Sequence, residues 1–83
     1  MLENEIAEKV VDCAYKIHTK LGPGLLESVY KNILSYELKK IGLQVETEVV
    51  IPVIYDNLHF DEGFRADIIV ENKVIIELKS VEK

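Results

Sequence analysis

From Arg65 to Lys79 the chain reads R-A-D-I-I-V-E-N-K-V-I-I-E-L-K, and this stretch leaves few choices of fold. Phe64, Ala66, Ile68 and Val70 alternate with Arg65, Asp67 and Ile69; after Glu71-Asn72-Lys73, Val74, Ile76 and Leu78 alternate with Ile75, Glu77 and Lys79. A period of two on both sides of a short polar segment predicts an antiparallel hairpin. A three-residue loop sets Val70 against Val74, and counting back along the ladder sets Asp67 against Glu77 and Arg65 against Lys79, all on one face. A two-residue loop would set Asp67 against Leu78 and turn each strand's apolar row against the other's polar row, so burial favours the first register. Two carboxylates ~5 Å apart repel by roughly 3 kcal/mol at an effective dielectric near 20. A divalent cation between them would convert that repulsion into attraction.

The remaining sequence predicts what packs on this hairpin. Ile6, Val10, Cys13, Ala14, Ile17 and Leu21 form one apolar stripe of a helix from about Glu3 to Leu21, with Glu3, Glu5 and Glu8 near its start and Lys16 and Lys20 near its end, as the helix dipole prefers. Gly22-Pro23-Gly24 ends it. Gly22 is expected at the left-handed C′ position and Pro23 at the first position of a second helix reaching about Ile41. Leu26, Val29, Tyr30, Ile33, Leu34 and Leu38 are that helix's packing residues, and Gly42 marks its stop. From Gln44 the period changes to two: Val45, Thr47, Val49, Ile51, Val53 and Tyr55 share one face of a long strand. Pro52 predicts an edge or bulge, Asp56-Asn57 a turn, and Gly63 a bulge in the returning strand. The expected fold is α+β, with two N-terminal helices packed on a three-stranded antiparallel sheet.

Eighty-three residues make a single domain, residues 1–83, with a thin core. Ten Lys and Arg against fifteen Asp and Glu give a net charge of -5, which argues against affinity for nucleic acid arising from the overall field. The lone Cys13 excludes a disulfide framework within the chain and a cysteine-based zinc site. No apolar run reaches the ~18 residues of a membrane span and the N-terminus is acidic, so the expected location is cytoplasmic.

Gly24-Leu25-Leu26-Glu27-Ser28-Val29-Tyr30 reads G-x-x-E-x-x-Y; Tyr36-Glu37-Leu38, Gly63-Phe64-Arg65-Ala66-Asp67 and Ile76-Glu77-Leu78-Lys79-Ser80-Val81 follow in order. Together these motifs resemble the GxxExxY proteins, a branch of the PD-(D/E)xK nuclease-like superfamily, from about Ala7 to Lys83. The resemblance implies a restriction-endonuclease-like core, here apparently without the family's C-terminal helix and strand, so that the sheet either continues in a longer protein or is completed by another chain. It further implies a metal-dependent nuclease acting on DNA or RNA, with activity reduced by the truncation.

The candidate site follows from both lines of reasoning. Asp67 and Glu77 would hold Mg²⁺ or Mn²⁺, with Glu27 and the Leu78 carbonyl as further oxygen ligands. Lys79 would stabilise the charge developing at phosphorus, and Tyr30 and Arg65 are accessory candidates. Each has a plainer alternative. Glu27 sits in a first helical turn, where an acid stabilises the dipole anyway; Tyr30 is a packing residue; Arg65, Asp67, Glu77 and Lys79 are a solvated ladder of crossed charges. Ile69 and Ile75 on the charged face favour a covered surface over open water. His18 is expected at the surface or boundary, and His59 has no assigned role. The rival to a nuclease is a non-catalytic interaction module on the same scaffold. In either case a thin core and an exposed strand edge predict a homo-oligomer.

Overall fold

The computed structural model describes residues 1–79; Ser80 and Val81 of the last motif, and the expected run of the final strand to the end of the chain, lie outside the described residues. The elements are α1 (Glu3–Leu21), α2 (Glu27–Lys40), β1 (Val45–Tyr55), β2 (Leu58–Val70) and β3 (Val74–Ile76). The strands form an antiparallel meander in the order β1-β2-β3, and the helices cover one face of it. This is the α+β arrangement expected from the two periodicities.

The core is built from alternate rows. Ile6, Cys13 and Ile17 of α1 and Leu34 and Leu38 of α2 meet Leu43, Ile68 and Val70. Ala66, Ile68 and Val70, every second residue of β2, are completely buried. Leu21, Leu26 and Val29, predicted to pack, are 51 %, 71 % and 39 % exposed: Leu21 is the last residue of α1, Leu26 precedes α2 and Val29 lies in its first turn.

The second helix begins later than Pro23. Gly22 and Gly24 have φ of +72° and +97°, which no right-handed helix admits, so residues 22–26 form a loop and α2 starts at Glu27 behind the extended Leu26. Gly22 has the expected positive φ, but its ψ of -172° is extended and not that of a left-handed cap. The end of α2 is sharper. Gly42 N–H donates to the Lys39 carbonyl (2.9 Å) and Leu43 N–H to the Leu38 carbonyl (3.1 Å). These are the two bonds of a Schellman motif, closed by the buried Leu38 and Leu43.

Both hairpins form in the expected register. Val70 pairs with Val74 and Ile69 with Ile75, around a turn in which Glu71 and Asn72 both have φ of +54°. Tyr55 pairs with Leu58 across Asp56-Asn57. Between the pairs Ile51–Phe64 and Val53–Phe60, three residues of β2 oppose Pro52 alone, so the bulge forms where the proline offers no N–H to the ladder. Gly63 is needed there, since a Cβ would stand 2.2 Å from Val53 Cγ2 and 2.8 Å from the Val53 nitrogen. The face carrying Ile69 and Ile75 is more open than expected: Ile75 is 48 % exposed, as no described element covers it.

Two substitutions test this packing by urea denaturation. Gly63→Ala should cost about 1–3 kcal/mol through overpacking against Val53, and Leu38→Ala about 2–5 kcal/mol through the cavity it leaves.

Candidate functional site

The positive-φ glycines that delay α2 also shape a cleft. The last turn of α1, the loop 22–26, the first turn of α2 and the chain following β3 enclose about 540 Å³. Glu27, Tyr30, Glu77, Leu78 and Lys79 all line it, so five of the seven candidate residues come together although they lie on segments separated by the whole β1–β2 hairpin. Glu27 is the first residue of α2, so its carboxylate stands at the positive end of the helix dipole.

Asp67 does not line the cleft, yet it is joined to it. Its Oδ2 accepts the Leu78 N–H at 2.8 Å in a half-buried setting. The β2–β3 ladder stops at Ile68–Ile76, one pair short of the predicted Asp67–Glu77 pair, and the Asp67 carboxylate takes up the amide of Leu78, two residues past the last pair. The expected direct opposition of Asp67 to Glu77, and of Arg65 to Lys79, is therefore absent from the ladder. A side-chain bond replaces a backbone one.

Arg65 points elsewhere. Its Nη1 lies 3.7 Å from Glu48 Oε2, and Lys31 Nζ binds the other oxygen of Glu48. Glu48 itself has φ of +54° within β1, a conformation that costs a non-glycine residue of order 1–3 kcal/mol. Sequence gave no sign of this network, since nothing in a period of two marks one member of the row as twisted. His18 is exposed at the surface, as expected, and it also lines the cleft, with its ring 5.4 Å from that of Tyr30 and tilted by 46°. The available signal was its place one turn before Gly22, above the loop that opens towards Glu27.

Burial raises the Tyr30 phenol above its usual pKa, so the group is a neutral hydrogen-bond donor or acceptor throughout the physiological range. Tyr30 is also half-buried against the core, which makes the packing and cleft-lining readings compatible.

The donors around the cleft suit a hard divalent cation. Glu27 and Glu77 both line the cleft, and carboxylate oxygens are ligands of the kind magnesium and manganese take. Among the described residues no three His, Cys, Asp or Glu side chains gather into a group able to hold a metal by themselves. A cation here would draw on one or two carboxylates together with backbone, water and substrate oxygens, which is how magnesium is commonly bound.

Comparison with known proteins decides the family. The PD-(D/E)XK nuclease superfamily matches over residues 4–83. The chain belongs to that superfamily. No curated protein and no solved structure matches it. PD-(D/E)XK proteins are typically metal-dependent, and the D-x9-E-x-K run of Asp67, Glu77 and Lys79 falls within the matched residues. No described helix is long and apolar enough to cross a membrane.

Two outcomes are expected. Asp67→Ala strands the Leu78 amide and should lower stability by about 1–3 kcal/mol in urea without added metal; Asp67→Asn keeps an acceptor and should recover most of that loss, whereas relief of carboxylate repulsion would make Asn more stable than wild type. In ultraviolet absorbance Tyr30 should titrate above the ordinary phenol range. Because its folded pKa is raised above the ordinary value of 10.0, its contribution to stability is complete below pH 10 and is lost as pH rises through the folded pKa; Tyr30→Phe should remove that alkaline loss.

Proposed function

We propose that the protein is a metal-dependent phosphodiester hydrolase acting on DNA or RNA, in the GxxExxY branch of the superfamily. The observation that carries this reading is the cleft in which Glu27, Glu77, Leu78 and Lys79 converge. Glu27, Glu77 and the Leu78 carbonyl, with Asp67 beside them, are the proposed ligands of Mg²⁺ or Mn²⁺. When bound, such a cation supplies Lewis acidity and lowers the pKa of water.

The chain's own residues account for the rest. Asp67 holds the Leu78 amide and so orients the peptide whose neighbours are Glu77 and Lys79. Lys79 stabilises the negative charge that builds on the phosphoryl oxygens, and the neutral Tyr30 hydroxyl offers a hydrogen bond within the same cleft. Arg65, held by Glu48, is a peripheral phosphate contact rather than a member of the centre. With a net charge of -5, affinity for a polyanion rests on these local groups and on the cation, and not on long-range attraction.

A second reading, a non-catalytic interaction module on the nuclease scaffold, draws support from the apolar residues left exposed on the β1–β2 hairpin. Thermal melts with and without millimolar Mg²⁺ or Mn²⁺ separate the two. Wild type should be stabilised, by about 2.7 kcal/mol at one hundred times the dissociation constant, and Glu77→Gln should lose most of that shift. Cleavage of fluorescent single- and double-stranded oligonucleotides should then depend on metal and fall at least a hundredfold in Lys79→Ala. A metal-indifferent melt in wild type would favour the interaction module.

A further inference from the structure

The helices cover only the proximal half of one sheet face. On that face Val45, Val49, Ala66, Ile68 and Val70 are buried or half-buried, whereas every residue from 52 to 65 is exposed. The cross-strand pairs Ile51–Phe64, Val53–Phe60 and Tyr55–Leu58 continue the same row outward, because the bulge adds two residues to β2 and so preserves the alternation of sides. Tyr55 is 68 % exposed, Leu58 56 % and Phe60 50 %. An isolated two-stranded hairpin is at best marginally stable in water, yet this one projects from the domain with six apolar side chains aligned on a single side.

We propose that this distal face of the β1–β2 arm is the interface of a homodimer, in which two copies stack their arms face to face about a two-fold axis. The inference is independent of the catalytic reading. Its first support is area. Three aromatic side chains of about 150–250 Å² each, roughly half exposed, present on the order of 300 Å². With the aliphatic partners and the flanking backbone, the face approaches the ~600 Å² per partner at the lower end of specific interfaces.

The second support is charge. None of the six side chains is ionisable except the Tyr55 phenol, while the chain as a whole carries -5. Docking this face on most other surfaces of the same protein would bury carboxylates without partners, which is costly. Docking it on its own copy brings in one carboxylate per chain, that of Glu62 in the bulge between Phe60 and Phe64. A two-fold axis needs one self-complementary patch, and stacked sheets ~10 Å apart would interleave these side chains as a sandwich does.

Sedimentation velocity from about 1 to 100 μM, the range in which an interface of this size is expected to dissociate, tests the proposal with two neighbouring substitutions. Ile54 is as exposed as Tyr55, at 68 %, but its pair with His59 lies on the opposite side of the arm. Wild type should pass from one chain to two as concentration rises; Tyr55→Lys should weaken dimerisation at least tenfold; Ile54→Lys should leave it unchanged. Circular dichroism checks that each variant is folded, and Leu58→Lys replaces Tyr55→Lys if the latter is not. A monomer throughout the range overturns the proposal, as does a dimer that Ile54→Lys disrupts or that neither Tyr55→Lys nor Leu58→Lys weakens. A monomer that co-sediments with phosphatidylcholine vesicles would assign the face to lipid and overturn it equally.

Discussion

Everything in this small domain depends on one buried row. Ala66, Ile68 and Val70 of β2 are wholly inaccessible to water; all three pair with β1 through Val49, Thr47 and Val45, and Ile68 and Val70 pair also with β3 through Ile76 and Val74. Slipping either partner by one residue would turn that partner's own apolar row, Val45 and Val49 of β1 or Val74 and Ile76 of β3, away from the helices and bring its alternate residues under them. Burial thus fixes two registers at once. The position of the chain after β3, which forms one wall of the cleft, follows from the second of them.

The periodicities of the sequence made this scaffold legible. A stripe at three and four residues can be satisfied only by a helix, and alternation around Glu71-Asn72-Lys73 only by a hairpin. The misjudged helix start at Pro23 shows the limit of such reasoning: proline permits a first helical position, but the adjacent glycines adopt positive φ, and conformations beyond a residue's permitted range cannot be read from what its neighbour permits. The site was legible as a set of residues and less so as a geometry. The strand period placed Asp67 and Glu77 on one row, but periodicity says nothing about where a ladder ends. The competition between a backbone carbonyl and the Asp67 carboxylate for the Leu78 amide is a local matter that only coordinates resolve.

Electrostatics divides the molecule in two. Away from the cleft, ion pairs such as Lys16–Glu37 at 3.2 Å join α1 to α2, and the lysine holds the Glu37 carboxyl below its usual pKa; such exposed pairs contribute little individually. Near the cleft, acidic groups are set at the start of a helix and beside a backbone amide, where partial positive charge is already present. An acidic protein can in this way hold carboxylates ready for a cation without a cluster of bare negative charge.

The cleft has a consequence for the order in which the molecule takes shape. Its walls are contributed by Glu27 and Glu77, fifty positions apart, with the long hairpin threaded between them. Loop closure over such a span is a late and entropically demanding event. Helices α1 and α2 can form locally and the β1–β2 hairpin can zip from its turn, but no cleft exists until β3 has docked. Whatever this pocket does is therefore withheld from every partly folded form of the chain, and its appearance reports completion of the sheet.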